Sequence, residues 1–253
     1  MRREWMEIVD HSAVAKDTYR MVLKGQIAEE VEDPGQFVHI QVSDRFFLRR
    51  PVSIADVHPD KNEITLLYKV LGDGTQALTE KRTGDKLDVL GPGGQGFPIE
   101  KDVREALIVG GGIGVPPLYY LAKQLVEQGI KVTTVLGFRS KEEAFLIDEF
   151  KALGALYVTT DDGSLGEKGL VTDRTDELRG SFDTYFSCGP TVMLKAIANQ
   201  LEDVRGYISM EERMGCGIGA CFACVVHTPE DDEKGYRRVC CDGPVFKAKE
   251  VVL

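Results

Sequence analysis

Five of the six cysteines in this 253-residue sequence lie close together near its C-terminal end. Cys216, Cys221 and Cys224 follow the spacing C-x4-C-x2-C, and 15 residues then separate Cys224 from Cys240. Four thiolates at this spacing hold the two irons of a plant-type 2Fe–2S cluster. The small residues among the first three cysteines allow the backbone to approach a cluster and to direct N–H groups at sulfur. The sequence therefore predicts a 2Fe–2S site in this segment.

Two features of this segment leave alternatives open. Cys221, Cys224 and His227, completed by Cys216 or Cys240, would also supply the ligands of a zinc ion. Buried, unreactive cysteines are a further alternative. Cys240 and Cys241 are adjacent. Neighbouring side chains of an extended segment point to opposite faces, so only one of the two reaches a cluster. The spacing alone does not decide which of them is the fourth ligand.

Two motifs at predicted strand ends indicate a nucleotide site. The glycine-rich stretch 110–114 follows an apolar run and precedes a helical pattern. Backbone N–H groups and the helix dipole at such a junction suit a pyrophosphate, although Val115 and Pro116 depart from a full G-x-G-x-x-G pattern and a purely structural turn is the alternative. The second motif, C-G-P at 188–190, follows another strand of the same inferred sheet. Ligands of open α/β sheets bind beyond the carboxyl ends of the strands, so we expect the two motifs to flank one crevice.

Motifs in the first third of the chain predict further phosphate contacts. In the R-P-V-S stretch at 50–53, the Arg50 guanidinium can hold a phosphate with two hydrogen bonds, and the Ser53 hydroxyl can bond the edge of a ring. Gly74 and Thr75 open a short helical pattern, in which Thr75 is a suitable N-cap and the helix start can accept a second phosphate. An exposed basic pair and an ordinary cap are the alternatives.

A barrel and a parallel sheet are needed to position these residues. Short apolar runs separated by turn signals predict a small antiparallel barrel up to about residue 97. Its predicted strands are 37–42, 52–55, 64–70 and 86–90. Strands alternate with helices between about residues 104 and 209, which predicts a doubly wound parallel sheet. The predicted strands are 106–109, 132–136, 156–159 and 184–187, and the predicted helices follow Gly114, span 141–150 and follow Pro190.

Composition and charge exclude several classes of protein. The chain has 31 Lys and Arg against 41 Asp and Glu, a formal net charge of −10, which argues against nucleic acid or an anionic membrane as a partner. No stretch reaches the length of about 20 apolar residues that a membrane helix needs. The N-terminus lacks the apolar segment of a secretory signal. We therefore expect a cytoplasmic protein, and in that compartment clustered cysteines are more often metal or redox sites than disulfides.

The order of the motifs resembles the ferredoxin–NADP reductase superfamily, in which an antiparallel flavin barrel precedes an α/β nucleotide domain. The stretches M-E-E-R-M-G-C-G-I-G-A-C from Met210 and V-C-C-D-G-P-V-F from Val239 closely resemble the family of electron-transfer subunits of dihydroorotate dehydrogenase B. The resemblance covers essentially the whole chain. It implies a flavin-binding barrel over 1–100, an NAD-binding α/β domain over 101–209 and a 2Fe–2S region over 210–253.

The resemblance assigns residues to three cofactors. FAD contacts are implied at Arg50, Pro51, Val52, Ser53, Leu67, Tyr68, Lys69, Gly74 and Thr75. NAD contacts are implied at Gly110, Gly111, Gly112, Gly114, Cys188, Gly189 and Pro190. The family pattern V-C-x-D-G-P-V-F selects Cys240 as the fourth cluster ligand and leaves Cys241 at a variable position. Val52 departs from the superfamily, where a Tyr usually stacks on the flavin, and Tyr68 is a candidate to cover that face.

The same resemblance implies an electron relay. A partner subunit with FMN would oxidise dihydroorotate to orotate in pyrimidine biosynthesis, and this chain would pass the electrons through its cluster and FAD to NAD. The implied assembly is a heterotetramer with two copies of each subunit. Subunits of a sulfide dehydrogenase or an NADPH–ferredoxin oxidoreductase are one alternative, although those relatives often have Asp where Cys216 stands. A zinc-stabilised nucleotide-binding module without redox function is an alternative from a different class.

Overall fold

The computed structural model describes residues 1–253, and its first 93 residues include a closed antiparallel barrel of six strands. The strands are β1 (Arg2–Ala15), β2 (Thr18–Lys24), β3 (Phe37–Gln41), β4 (Arg50–His58), β5 (Glu63–Lys69) and β6 (Lys86–Gly93). They pair in the order β1-β2-β5-β4-β3-β6, which confirms the predicted barrel. The four predicted runs correspond to β3 to β6. Strand β1 buries only Met6 and Ile8, so apolar alternation does not mark it in the sequence.

Strand β3 separates two environments, because successive side chains of a strand point to opposite faces. Val38 and Ile40 pack in the apolar interior of the barrel. Phe37 instead belongs to a cluster that includes Met214 and Cys240 of the C-terminal segment. The outward face of β3 is therefore covered by the region that contains the clustered cysteines.

A seven-stranded sheet follows the barrel. Its strands are β7 (Glu105–Gly111), β8 (Lys131–Phe138), β9 (Ala155–Thr160), β10 (Glu167–Lys168), β11 (Thr184–Cys188), β12 (Arg205–Ser209) and β15 (Val245–Lys247). They pair in the order β10-β9-β8-β7-β11-β12-β15, all parallel except β15. The helices of the chain are α1 (Asp73–Leu78), α2 (Val115–Glu127), α3 (Ile147–Lys151), α4 (Val171–Glu177) and α5 (Thr191–Gln200).

Alternate residues of β7 pack on the two sides of this sheet. Ala106 and Ile108 are buried with the apolar residues of α2. Leu107 and Val109 are buried with those of α5. Helices α2 and α5 therefore lie on opposite faces, which confirms the predicted doubly wound arrangement.

The prediction of a single continuous helix over 141–150 is wrong. A 3-10 turn covers Lys141–Glu143, the backbone of Leu146 has a φ of 58°, and α3 begins only at Ile147. The interruption buries Phe145, which packs edge-on against Phe138 with ring centroids 5.4 Å apart. Burial of this side chain against the end of β8 outweighs the helical hydrogen bonds that a continuous helix would make.

The C-terminal segment leaves the sheet after β12 and returns to it. It forms a hairpin of β13 (Val225–His227) and β14 (Tyr236–Arg238), with the polar stretch 229–235 at its tip. It then forms β15, which pairs antiparallel with β12. The Gln95 N–H, just after the barrel, donates a hydrogen bond to the Gly243 carbonyl oxygen at 2.6 Å. The cysteines are therefore held between the sheet edge and the barrel.

Ion pairs join the barrel to the α/β unit. Lys123 Nζ on α2 lies 2.7 Å from Asp56 Oδ1 on β4. Lys69 at the end of β5 pairs with Glu143 in the 3-10 turn after β8. These contacts hold the two units on either side of a cleft. None of the helices has the length and apolar character needed to cross a membrane.

Candidate cofactor sites

A cavity of about 750 Å³ opens between the barrel, the α/β unit and the segment before the cysteines. Eight of the nine predicted FAD residues line it: Arg50, Pro51, Val52, Ser53, Leu67, Tyr68, Lys69 and Thr75. Ile113, within the glycine-rich stretch after β7, lines the same cavity. So does Met214, which lies two residues before Cys216. The FAD cleft thus borders the glycine-rich stretch and the segment before the cysteine loop, although none of the predicted NAD residues or cysteines lines it.

Gly74, the ninth predicted FAD residue, lies behind Arg50 rather than at the cavity wall. A Cβ atom at Gly74 would be only 2.2 Å from Arg50 Nε. Arg50 Nη1 donates a hydrogen bond to the Leu48 carbonyl oxygen at 2.5 Å, and the guanidinium lies over the ring of Phe46. Glycine at position 74 is therefore what allows the guanidinium to occupy its place in the cleft.

Thr75 stabilises the turn before α1 in a different way from the predicted N-cap. It is the third residue of α1. Its hydroxyl oxygen accepts hydrogen bonds from the backbone N–H groups of Leu71 at 2.9 Å and Gly72 at 3.2 Å. The side chain therefore reaches back over the turn, so the prediction that Thr75 is the N-cap is wrong even though the residue lines the cleft.

Tyr68 and Lys69 are both held by other side chains. The Tyr68 hydroxyl is hydrogen-bonded to His11 Nε2 at 2.9 Å, and its ring stacks on Tyr19 with centroids 5.7 Å apart. Burial, with Tyr19 nearby, raises the pKa of Tyr68 well above its ordinary value, so the phenol stays protonated. The charge of Lys69 is shared with Glu143. Arg50 is therefore better placed than Lys69 to neutralise a phosphate group in this cleft.

We expect Arg50→Ala and Gly74→Ala to lose FAD to similar extents. A charge-assisted hydrogen bond contributes about 1.5–3 kcal/mol, and about 1.4 kcal/mol is a tenfold change in affinity, so retention should fall at least about tenfold. Gly74→Ala acts by displacing the flexible guanidinium. FAD content after gel filtration measures the effect.

Gly72→Ala is the matched control for this pair, because a Cβ atom there meets nothing within 4 Å. It should keep its FAD. Full FAD content in a folded Arg50→Ala protein would show that Arg50 does not bind FAD. Full content in Gly74→Ala alone would show that the Arg50 guanidinium finds an equivalent position.

The two predicted NAD motifs are in direct contact. Strands β7 and β11 are parallel neighbours, and Cys188 lies opposite Gly110 in their register. A Cβ atom at Gly114 would be 2.5 Å from the carbonyl carbon of Cys188 and from the nitrogen of Gly189. Only glycine permits this approach of one backbone to the other. The junction lies at the carboxyl ends of the strands, where the strand order reverses, which is where open α/β sheets bind nucleotides.

Cys188 is a buried thiol within this junction. Its side chain is 1% exposed, and burial, with Glu211 nearby, raises the pKa of the thiol well above its ordinary value. The group is therefore protonated at neutral pH. The remaining predicted NAD residues lie at the same two strand ends: Gly111 and Gly112 before α2, and Gly189 and Pro190 before α5.

The cysteine loop directs backbone N–H groups at sulfur. Cys216 Sγ accepts hydrogen bonds from the N–H groups of Ile218 at 3.4 Å, Ala220 at 3.3 Å and Cys221 at 3.4 Å. Burial raises the pKa of the Cys216 thiol, but these three donors, together with the Cys221 side chain, outweigh it and lower the pKa to about 7. Cys216 is thus arranged to carry the negative charge of a metal-bound thiolate.

The four predicted ligands lie in two pairs. The Cys216 and Cys221 side chains contact each other, as do those of Cys224 and Cys240. Gly219 N–H donates a hydrogen bond to Cys240 Sγ at 3.2 Å, and Cys240 N–H donates one to Cys224 Sγ at 3.4 Å. Burial and the neighbouring Cys224 raise the pKa of the Cys240 thiol to about 12. No three of these cysteines lie close enough together to hold a single metal ion, so the arrangement suits two irons, each taking two thiolates, rather than one tetrahedral zinc.

Cys241 lies close to the same loop, but its sulfur accepts none of the N–H hydrogen bonds that the loop donates to Cys216, Cys221 and Cys240. A Cβ atom at Gly219 would lie 2.7 Å from Cys241 Sγ, so the thiol packs against the backbone of the loop. Arg238 ties the same loop to the end of the hairpin. Its Nη1 donates to the Gly219 carbonyl oxygen at 2.9 Å, and its Nε donates to Asp242 Oδ2 at 3.0 Å. Sequence reasoning did not single out Arg238, although its place two residues before Cys240 is a signal that could have found it.

The fold and these sites define a flavin- and nucleotide-binding oxidoreductase of the ferredoxin reductase type with an added iron–sulfur segment. A solved structure of an NADH-dependent reduced ferredoxin-NADP oxidoreductase is similar over 98% of this chain and 90% of its own, with a TM-score of 0.89 and 36% identity. The cytochrome P450 reductase of Amycolatopsis shares the fold over 80% of this chain and 66% of its own, with a TM-score of 0.69 and 22% identity.

Sequence relatives narrow the class to one family. Residues 211–252 match the family described as the iron-sulfur cluster binding domain of dihydroorotate dehydrogenase B. The chain is 52% identical to the "Dihydroorotate dehydrogenase B (NAD(+)), electron transfer subunit" of Geobacillus sp. strain WCH70, over 100% of both chains. It is 50% identical to the subunit of the same name from Shouchella clausii, over 98% of this chain and 97% of that one. The chain belongs to this family of electron transfer subunits, which are oxidoreductase components with FAD, a 2Fe–2S cluster and NAD as cofactors.

Proposed function

We propose that this chain takes electrons from the FMN of a catalytic subunit that oxidises dihydroorotate and passes them through its 2Fe–2S cluster and FAD to NAD. The membership of the family gives the electron-transfer role in NAD-dependent dihydroorotate oxidation, a step of pyrimidine biosynthesis. The observation that carries the finer proposal is the shared cleft, whose walls include Arg50 of the barrel, Ile113 of the glycine-rich stretch and Met214 beside the cysteine loop.

A flavin between the other two carriers supplies the needed chemistry, because it exchanges a hydride with a nicotinamide and single electrons with a cluster. In our proposal the chain's own residues bind and orient these groups. Arg50 neutralises a phosphate of FAD, with Gly74 leaving room for the guanidinium. The contact of Gly114 with Gly189 forms the floor of the NAD crevice.

The full assignment follows the three units of the chain. We propose the FAD residues Arg50, Pro51, Val52, Ser53, Leu67, Tyr68, Lys69, Gly74 and Thr75 in a barrel unit over 1–100. We propose the NAD residues Gly110, Gly111, Gly112, Gly114, Cys188, Gly189 and Pro190 in an α/β unit over 101–209. We propose Cys216, Cys221, Cys224 and Cys240 as the cluster ligands in a unit over 210–253. Support comes from the cavity walls and from the two cysteine pairs.

The partner in this proposal is the FMN-containing catalytic subunit, in a heterotetramer with two copies of each chain. The cysteine loop is our candidate for the contact, since electrons must enter near the cluster. Ile218 and Phe222 in this loop are 58% and 51% exposed, which suits a surface covered by a partner. All six cysteines are free thiols, in keeping with a cytoplasmic protein.

A subunit of a ferredoxin-linked oxidoreductase is the second candidate, and the 36% identity to the solved ferredoxin-NADP oxidoreductase favours it over the sulfide dehydrogenase. The relatives from dihydroorotate dehydrogenase B are more similar, at about 50% identity over the full chain. We therefore place the dihydroorotate relay first.

The absorption spectrum and metal content of the purified protein test this composition. We expect flavin and iron–sulfur bands together with about two irons per chain. A colourless protein with one zinc ion per chain would contradict the proposal and would support a nucleotide-binding module without redox function.

A further inference from the structure

His39 on β3 is a buried imidazole without a hydrogen-bond partner. Its side chain is 0% exposed, and neither Nδ1 nor Nε2 has a hydrogen-bonding neighbour. A buried polar group that lacks a partner costs about 1–3 kcal/mol, so such groups are rare and each requires an explanation. Phe37, its neighbour on the same face of β3, is apolar and packs with Met214 and Cys240. An aliphatic residue at position 39 would therefore be the more stable choice if the side chain only filled space.

The ring of His39 lies against the cysteine loop. A Cβ atom at Gly217 would be 2.4 Å from His39 Nδ1 and 3.0 Å from Cε1, so the imidazole is in van der Waals contact with the residue that follows Cys216. Gly217 has a φ of +72°, a conformation that favours glycine, and the absence of a side chain there makes the contact possible. The imidazole is thus held against the loop that carries three of the proposed cluster ligands.

The imidazole faces the cluster side of β3 and not the flavin cleft. Phe37, two residues earlier on the same face, lines the cleft, whereas His39 does not. The His39 carbonyl oxygen accepts a hydrogen bond from Arg49 Nη1 at 3.3 Å, which fixes the strand beside the ring. Because the ring contacts the loop at Gly217 and no protein atom bonds to either ring nitrogen, the missing partner is a group that this loop would hold.

We propose that His39 is a positioning residue that donates its Nδ1–H to a sulfur of the 2Fe–2S cluster and thereby raises the reduction potential of the cluster. Hydrogen bonds to the sulfurs are one of the factors that set such potentials, because they stabilise the negative charge that reduction adds. An imidazole carries at least one N–H whether it is neutral or protonated, so His39 has a donor to give at pH 7. The inference rests on the proposed cluster site.

The test is a redox titration of the holoprotein, with FAD and cluster in place, followed by EPR of the reduced cluster. In His39→Phe an aromatic ring is kept and the hydrogen-bond donor is lost. The ratio of reduced to oxidised cluster at a fixed ambient potential should fall about tenfold, which is 59 mV for a one-electron couple. His39→Asn keeps a donor at about the distance of Nδ1 from the backbone and should stay within about threefold of the wild type.

His58→Phe is the matched control, because His58 lies at the far end of β4, 3.5 Å from Asp56, and has a partly exposed side chain. Its cluster potential should equal that of the wild type. His39→Leu replaces His39→Phe if the larger ring prevents full iron loading. An iron-loaded His39→Phe or His39→Leu protein with the wild-type potential overturns the inference, as does a His39→Asn protein whose potential falls as far as that of His39→Phe. A wild-type protein with no iron–sulfur signal overturns the proposed function instead.

Discussion

Serine in place of Cys240 should remove the 2Fe–2S signal, whereas serine in place of the adjacent Cys241 should leave it. Cys240 is 2% exposed, contacts Cys224 and accepts a hydrogen bond from the Gly219 N–H. The Cys241 thiol packs against Gly219, but no backbone N–H donates a hydrogen bond to its sulfur. A serine hydroxyl is a poor substitute for a thiolate on iron, so loss of a true ligand has a large effect.

Iron content and EPR of the reduced protein measure this difference. Cys216→Ser, Cys221→Ser and Cys224→Ser should behave like Cys240→Ser. FAD content reports whether each variant remains folded. An intact cluster in Cys240→Ser together with its loss in Cys241→Ser would overturn the ligand assignment.

The second large effect concerns the division of labour between subunits. The isolated chain should oxidise NADH with an artificial electron acceptor, because its cleft joins the FAD wall at Arg50 to the nucleotide motif at Ile113. It should do nothing with dihydroorotate, whose oxidation belongs to the catalytic partner in our proposal. The same preparation should therefore show clear NADH oxidation and no detectable oxidation of dihydroorotate.

The proposed cluster ligands could be selected from the sequence because the chemistry of such a site depends on local spacing. Cys216, Cys221 and Cys224 lie within one loop, and a loop of small residues can fold around a cluster in few ways. The choice between Cys240 and Cys241 depended on the resemblance to a family. Spacing does not separate two adjacent cysteines, because the direction of each side chain is set by the fold.

The FAD residues were predictable as motifs, but their geometry was not. That Gly74 makes room for Arg50 follows from the packing of α1 against the start of β4, which local sequence does not encode. The pairing of Lys69 with Glu143 likewise joins residues from two units. Thr75 was placed correctly beside the turn, yet its hydrogen bonds run to Leu71 and Gly72 because α1 begins earlier than the pattern indicated.

Elements whose conformation is set by tertiary contacts were predicted least well. The helix expected over 141–150 is interrupted because Phe145 is drawn into the apolar core beside Phe138. His39 could not be identified from the sequence, because an isolated histidine in a strand forms no motif with neighbouring residues. Only the burial of both ring nitrogens next to Gly217 distinguishes it.

Reduction of NAD by dihydroorotate is the measurement that tests the relay most directly. It is made with this chain alone, with the catalytic subunit alone and with the reconstituted complex, each loaded with its cofactors. The relay predicts NADH formation by the complex and none by either chain alone. Oxidation of dihydroorotate by this chain alone, or a fully loaded complex that leaves NAD unreduced, would contradict it.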